Sequence, residues 1–116
     1  MKDIEKGIKP LVDAINRHSF LTTVSSCEGH TKYHNGMPPN PAYVTFLIKK
    51  GYKSVIPQIK NLTKKKGVVF EDVYERESLW KPYLHPKSVR YMVIRIDNRV
   101  KHRIIPLLVK RIKKIQ

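Results

Sequence analysis

Phe20-Leu21-Thr22-Thr23-Val24-Ser25-Ser26-Cys27-Glu28-Gly29-His30 is the stretch around which the chain is organised. Phe20 to Val24 favours extended backbone and reads as a first strand. Small hydroxyl residues, the only cysteine, a glycine and a histidine follow it. Residues 31–41 then hold three prolines, two asparagines, one glycine and His34. Such a composition continues neither a helix nor a central strand, so it predicts a long surface loop, the usual place for function in a small domain.

Outward from that stretch the periodicities alternate. Ile4, Ile8, Leu11, Val12 and Ile15 recur at helical spacing, with Asp3 placed to cap, so an amphipathic helix precedes the strand. Pro10 falls late for a first-turn proline, which leaves either a kink or a short turn ahead of the main helix. Tyr43 to Ile48 reads as a second, central strand, and Ser54 opens a helix with Val55, Ile59 and Leu62 inward and Pro57 in its first turn. Lys64-Lys65-Lys66-Gly67 closes that helix with cations at its negative pole and a glycine beyond. Val68 to Tyr74 is a third strand, Arg76 to Ser88 a second loop, and Val89 to Ile96 a fourth strand. A basic helix follows Asp97-Asn98, with Val100, Ile104, Leu107, Leu108, Ile112 and Ile115 on one face.

The expected fold is α+β over a single domain, 1–116: a mixed or antiparallel four-stranded sheet with three helices in the order α-β-β-α-β-β-α. An αββ unit repeats within it. A shift of about 47 positions lays Ile8-x-Pro10 on Val55-x-Pro57 and Phe46-Leu47 on Val93-Ile94. Each unit exposes an apolar sheet face that it cannot cover alone, so two units share a core. In such a pair the Cys27 and Trp80 loops hold equivalent places, and the expectation is that they form one pocket.

Charge is the compositional anomaly. The chain carries 24 Lys+Arg against 9 Asp+Glu, a formal +15 on 116 residues. Self-repulsion of that size is relieved by a polyanion, which points to nucleic acid. Lys64, Lys65, Lys66, Arg103, Lys110, Lys113 and Lys114 are the expected phosphate contacts, within a C-terminal run that also includes Lys101, His102 and Arg111. Tyr33, Trp80 and Tyr83 interleave with basic residues; Trp80 is placed either to stack on a base or to cap the hydrophobic core. Arg90 and Arg95 fall on opposite faces of one strand, so at most one of them serves a given site. A single cysteine excludes an internal disulfide, and no apolar run spans a bilayer or resembles a signal peptide; the expected location is cytoplasmic, with no membrane partner.

Three chemistries fit the Ser25–His30 turn. Cys27 is a nucleophile if His30 activates it. Ser25, Ser26, Glu28, Gly29 and their amides are a cradle for a polar or anionic ligand if the small residues let the main chain approach. Cys27, His30 and His34 have the spacing of an open zinc site, but a second ligand pair is missing, and no metal is expected.

The run from Ile8 to Asn16, followed by Phe20 to His30, resembles the opening of the tRNA wybutosine-synthesizing protein 3 family. There an amphipathic helix and an asparagine precede a Thr-Thr-Ser-Ser-Cys-Ser-Gly-Arg run. Val24 stands here between the threonines and the serines, and His30 stands in the arginine position. Tyr43 to Gly67 is loosely similar to the family's next strand and helix. The resemblance implies a tRNA-modifying methyltransferase that uses S-adenosylmethionine. The candidate residues of this chain are Cys27 and His30 for catalysis and Ser25, Ser26, Glu28, Gly29, Trp80 and Arg90 for ligand binding, the last two lying beyond the similar part. The expectation from residues and resemblance together is a small basic tRNA- or RNA-associated domain. The alternative is a non-catalytic nucleic-acid-binding or adaptor module.

Overall fold

A computed structural model describes residues 4–33, 36, 38–75 and 89–115. The elements are α1 (Lys9–Asn16), β1 (Leu21–Cys27), β2 (Ala42–Ile48), α2 (Val55–Leu62), β3 (Val68–Glu75), β4 (Val89–Ile96) and α3 (Lys101–Ile112). The four strands form one antiparallel sheet in the order β1-β2-β4-β3. This is the α+β arrangement expected from the periodicities. No helix among the described residues is long and apolar enough to cross a membrane.

One face of the sheet and all three helices share a single core. Val44 and Phe46 of β2 and Met92, Ile94 and Ile96 of β4 are buried together with Ile8, Leu11, Ile15, Ile59, Ile104, Leu108 and Ile112. Alternation along each strand turns Tyr43, Thr45, Leu47, Tyr91, Val93 and Arg95 to the opposite face, where Arg95 pairs with Glu71 across to β3.

The repeat is present in the register. Moving the pairs Ser25–Thr45, Ser26–Val44 and Cys27–Tyr43 forward by 47 positions gives Asp72–Met92, Val73–Tyr91 and Tyr74–Arg90, each an observed pair. β2 and β4, the equivalent strands, lie side by side and antiparallel at the centre. The expected pocket between the Cys27 and Trp80 loops involves residues 76–88, which lie outside the described residues; the strand ends flanking the two loops are described. Cys27 and Ala42 lie at one end of the sheet, whereas Glu75 and Val89 lie at the other, so the two αββ units open in opposite directions.

Two boundaries differ from the sequence reading. The first helix begins at Lys9, not near Asp3, because Pro10 has no N–H to donate and takes its place in the first turn. Of the two alternatives that Pro10 left open, the short turn is the one present: residues 5–8 form it, and the N–H groups of Ile8 and Lys9 donate to the Glu5 carbonyl. The first strand runs on through Ser25, Ser26 and Cys27, since pairing with Thr45, Val44 and Tyr43 outweighs their weak strand preference. Val24 is the bulge residue that breaks the register between Thr23 and Ser25, and it is 54% exposed. Beside it the Asn16 side chain accepts from the Thr23 N–H at 3.0 Å and donates to the Thr23 hydroxyl at 2.8 Å, tying the end of α1 to β1.

Phe46, 1% exposed on a central strand, is the largest fully buried side chain among the described residues. Phe46→Ala is expected to cost about 3–5 kcal/mol in urea unfolding. Val24→Ala, on the exposed bulge, should stay within about 0.5 kcal/mol.

Candidate functional site

The end of β1 is held by four separate parts of the chain. Glu5, in the turn before α1, accepts the Glu28 N–H on Oε1 at 3.0 Å and meets His30 Nε2 with Oε2 at 3.1 Å. Asn40 donates from Nδ2 to Cys27 Sγ at 3.1 Å, and its backbone makes a two-bond bridge with His30, both bonds at 3.0 Å. Asn98, just past β4, donates to the Asn40 carbonyl at 2.8 Å. Lys101, at the start of α3, donates to the carbonyls of Glu28 at 2.7 Å and Gly29 at 3.0 Å.

Two glycines make this convergence sterically feasible. Gly29 has φ +85°, and a Cβ there would run into Asn98 Oδ1 and come within 2.7 Å of the Ala42 nitrogen. A Cβ on Gly7 would come within 2.9 Å of the Glu28 Cβ, so only glycine lets the 5–8 turn lie against the β1 end. Asn98 Oδ1 is buried with no hydrogen-bond partner among the described residues.

This arrangement revises the cradle. The N–H of Glu28 is taken by Glu5, that of Gly29 by Cys27 Sγ at 3.4 Å, and that of His30 by Asn40. The amides that would hold an anion are therefore spent inside the turn. Ser25 lies on the helix-free sheet face opposite Thr45, and Ser26 turns toward the helix side opposite Val44, so the two serines do not face one ligand. Arg90 is five residues along β4 from Arg95, the residue level with Tyr43 and Cys27; that is about 17 Å of strand. Arg90 thus stands outside the Cys27 site, and Arg95 is the arginine nearest to it in register. Trp80 and Tyr83, like His34, lie outside the described residues, and Tyr33 is exposed.

Cys27 and His30 do come together, and with them comes Glu5, which sequence spacing did not flag. The carboxylate of Glu5, the Cys27 sulfur and a His30 ring nitrogen lie within 4.8 Å of one another. Beside the turn is a cleft of about 640 Å³, lined by His30, Asn40, Pro41, Arg95, Ile96 and Asn98 among others.

The expected phosphate contacts gather on the helix layer. Lys65, Lys66 and Arg103 line an 850 Å³ cleft with Arg99, between the α2–β3 turn and α3. Lys113 lines a second cleft, of 460 Å³, with Lys6, Lys9 and Arg17. Lys64, Lys110 and Lys114 are exposed. Two cations of the C-terminal run are otherwise engaged: Lys101 on the Cys27 turn, and Arg111 on the Leu62 carbonyl at 2.9 Å, where it closes the end of α2. Arg99 is likewise paired; its guanidinium hydrogen bonds, then its backbone N–H, hold the Asp97 carboxyl down to about 2 from an ordinary 3.8. At the opposite end of the helix layer, Tyr52 stacks on Phe20 with ring centres 4.9 Å apart, and Phe20 meets His18 at 5.1 Å. Lys49, Lys50 and Lys53 flank Tyr52 in the chain. Only the fold makes this aromatic ladder, since 31 residues lie between Phe20 and Tyr52; the single tyrosine among the lysines of 49–53 was its one signal in the sequence.

Comparison of the chain with family models, with curated proteins and with solved structures finds no match. The functional reading accordingly rests on the geometry and charge described above.

Gly29→Ala forces a Cβ into Asn98 and the β2 backbone, in a left-handed conformation. It is expected to destabilise more than Gly51→Ala, where φ is +94° but no atom lies within 4 Å. The conformational part alone is about 1–2 kcal/mol at each position. Chemical unfolding of the two variants side by side should show the additional loss at Gly29.

Proposed function

We propose that this domain is an RNA-associated module of the cytoplasm, with structured RNA such as tRNA as its partner, and that it binds through its helix layer. The observation that carries the reading is the segregation of charge. Residues 29–70 contain eight lysines and no Asp or Glu, and residues 98–116 contain seven Lys+Arg and no Asp or Glu. These segments supply α2, α3 and the turn at Lys64-Lys65-Lys66. Phosphates lying along the clefts on either side of α3 would meet Lys65, Lys66 and Arg103 on one flank and Lys9, Arg17 and Lys113 on the other. Unpaired bases reaching the end of the layer would stack on Tyr52, whose other face rests on Phe20.

The test is fluorescence anisotropy with tRNA and with a single-stranded oligonucleotide over a salt series. Affinity should fall linearly in log–log form, and Arg103→Glu, Lys110→Glu and Lys113→Glu together should flatten the slope by about 2–3. Tyr52→Ala should weaken single-strand binding by about 1–3 kcal/mol without changing the slope. Absence of binding at low salt would remove the reading.

A second reading, methyl transfer by a relative of the wybutosine-synthesis enzymes, is supported by the Ser25–Gly29 motif and by the 640 Å³ cleft beside it, a volume within the range of small-molecule pockets. On this reading the cleft takes S-adenosylmethionine, and Cys27 and His30 act on the acceptor. A thermal shift with S-adenosylmethionine or its demethylated product checks it: at about 100 times Kd a true ligand adds about 2.7 kcal/mol of stability. An unmoved melting point would leave the binding module as the sole reading.

A further inference from the structure

We propose that Glu5, Cys27 and His30 form a site for a zinc-type divalent ion, the three protein ligands among the described residues, with the fourth position taken by water or another small donor. The three donor atoms lie within 4.8 Å of one another, and Glu5 Oε2 is 3.1 Å from His30 Nε2. Bonds of about 2.0–2.2 Å to nitrogen and oxygen at tetrahedral angles place such donors about 3.3–3.5 Å apart. An ion entering between Glu5 and His30 thus replaces their hydrogen bond at the cost of a few tenths of an ångström.

The surroundings already orient the donors as an outer ligand shell does. Glu5 Oε1 is fixed by the Glu28 N–H, and the Cys27 sulfur accepts from Asn40 Nδ2 and the Gly29 N–H. Donors of that kind stabilise a thiolate and hold it in place. Lys101 secures the turn by its carbonyls. Charge favours occupancy: a thiolate and a carboxylate balance a divalent cation, the thiol proton leaving to solvent as the ion binds and His30 contributing a neutral ring nitrogen. Sulfur and imidazole donors select zinc or cobalt over magnesium or calcium. The side chains of His30 and Glu5 are 21% and 33% exposed, so the ion has access. Occupancy would clamp the turn preceding α1 to the end of β1.

The test is cobalt(II) titration of the full chain, free of any affinity tag, followed by absorption spectroscopy. One equivalent should bind with tetrahedral visible bands and a thiolate-to-cobalt charge-transfer band, and zinc should displace it. Cys27→Ser should abolish the charge-transfer band. Glu5→Gln retains an oxygen for the Glu28 N–H, so the fold survives; it should weaken cobalt binding at least about tenfold, as should His30→Ala. The proposal is overturned if wild-type protein develops no thiolate band in excess cobalt, if the band survives Cys27→Ser, or if Glu5→Gln binds as tightly as wild type while circular dichroism shows it folded.

Discussion

The antiparallel pairing of β2 with β4 is the constraint on which the rest depends. It sets Tyr43 opposite Arg95 and Ala42 opposite Ile96, brings the two αββ units edge to edge, and lines up Val44, Phe46, Met92, Ile94 and Ile96 as one apolar face. A face of that size must be covered, and each unit has only one short helix to cover it. α3 completes the cover, burying Ile104, Ile105, Leu108 and Ile112 against α1, α2 and the sheet. Its Pro106 lies on the exposed side, where the missing N–H is least costly.

The same pairing determines what surrounds Cys27. Because the end of β4 lies beside the start of β2, Asn98 and Lys101 arrive next to the Glu28–Gly29 turn, and Asn40 is held between Asn98 and His30. The turn becomes a closed set of hydrogen bonds whose amides face inward, while its sulfur, imidazole and carboxylate remain within reach of one another. Small residues here serve close approach of backbone segments and not capture of an anion. Anion capture fits the helix layer instead, where the turn at Lys64-Lys65-Lys66 and the outer face of α3 present cations with few carboxylates to neutralise them.

Much of the fold was legible because it is written in local periods. Apolar spacing at Leu11, Val12 and Ile15 marks a helix, the aromatic and β-branched run at 43–48 marks a central strand, the run at 89–96 a further strand, and Gly67 after three lysines marks a helix end. The echo at 47 positions was also readable and carries through to the strand register. The extension of β1 through Ser25, Ser26 and Cys27 was not readable, since those residues are strand only by virtue of Thr45, Val44 and Tyr43. Nor was the role of Glu5: the late helix start that frees it follows from Pro10, but its target lies 23 positions away.

By itself, then, the sequence determined the class of fold, the order of its elements and the excess of positive charge, because hydrophobic period, turn chemistry and composition act over a few residues or over none in particular. The tertiary structure alone decided which groups meet. It turned the two αββ units to opposite ends of the sheet, set Arg95 rather than Arg90 level with Cys27, diverted Lys101 and Arg111 to carbonyls, and assembled Glu5, Cys27 and His30. The physical reason is that contacts between distant segments depend on strand register and packing direction, and no local signal in the chain encodes either.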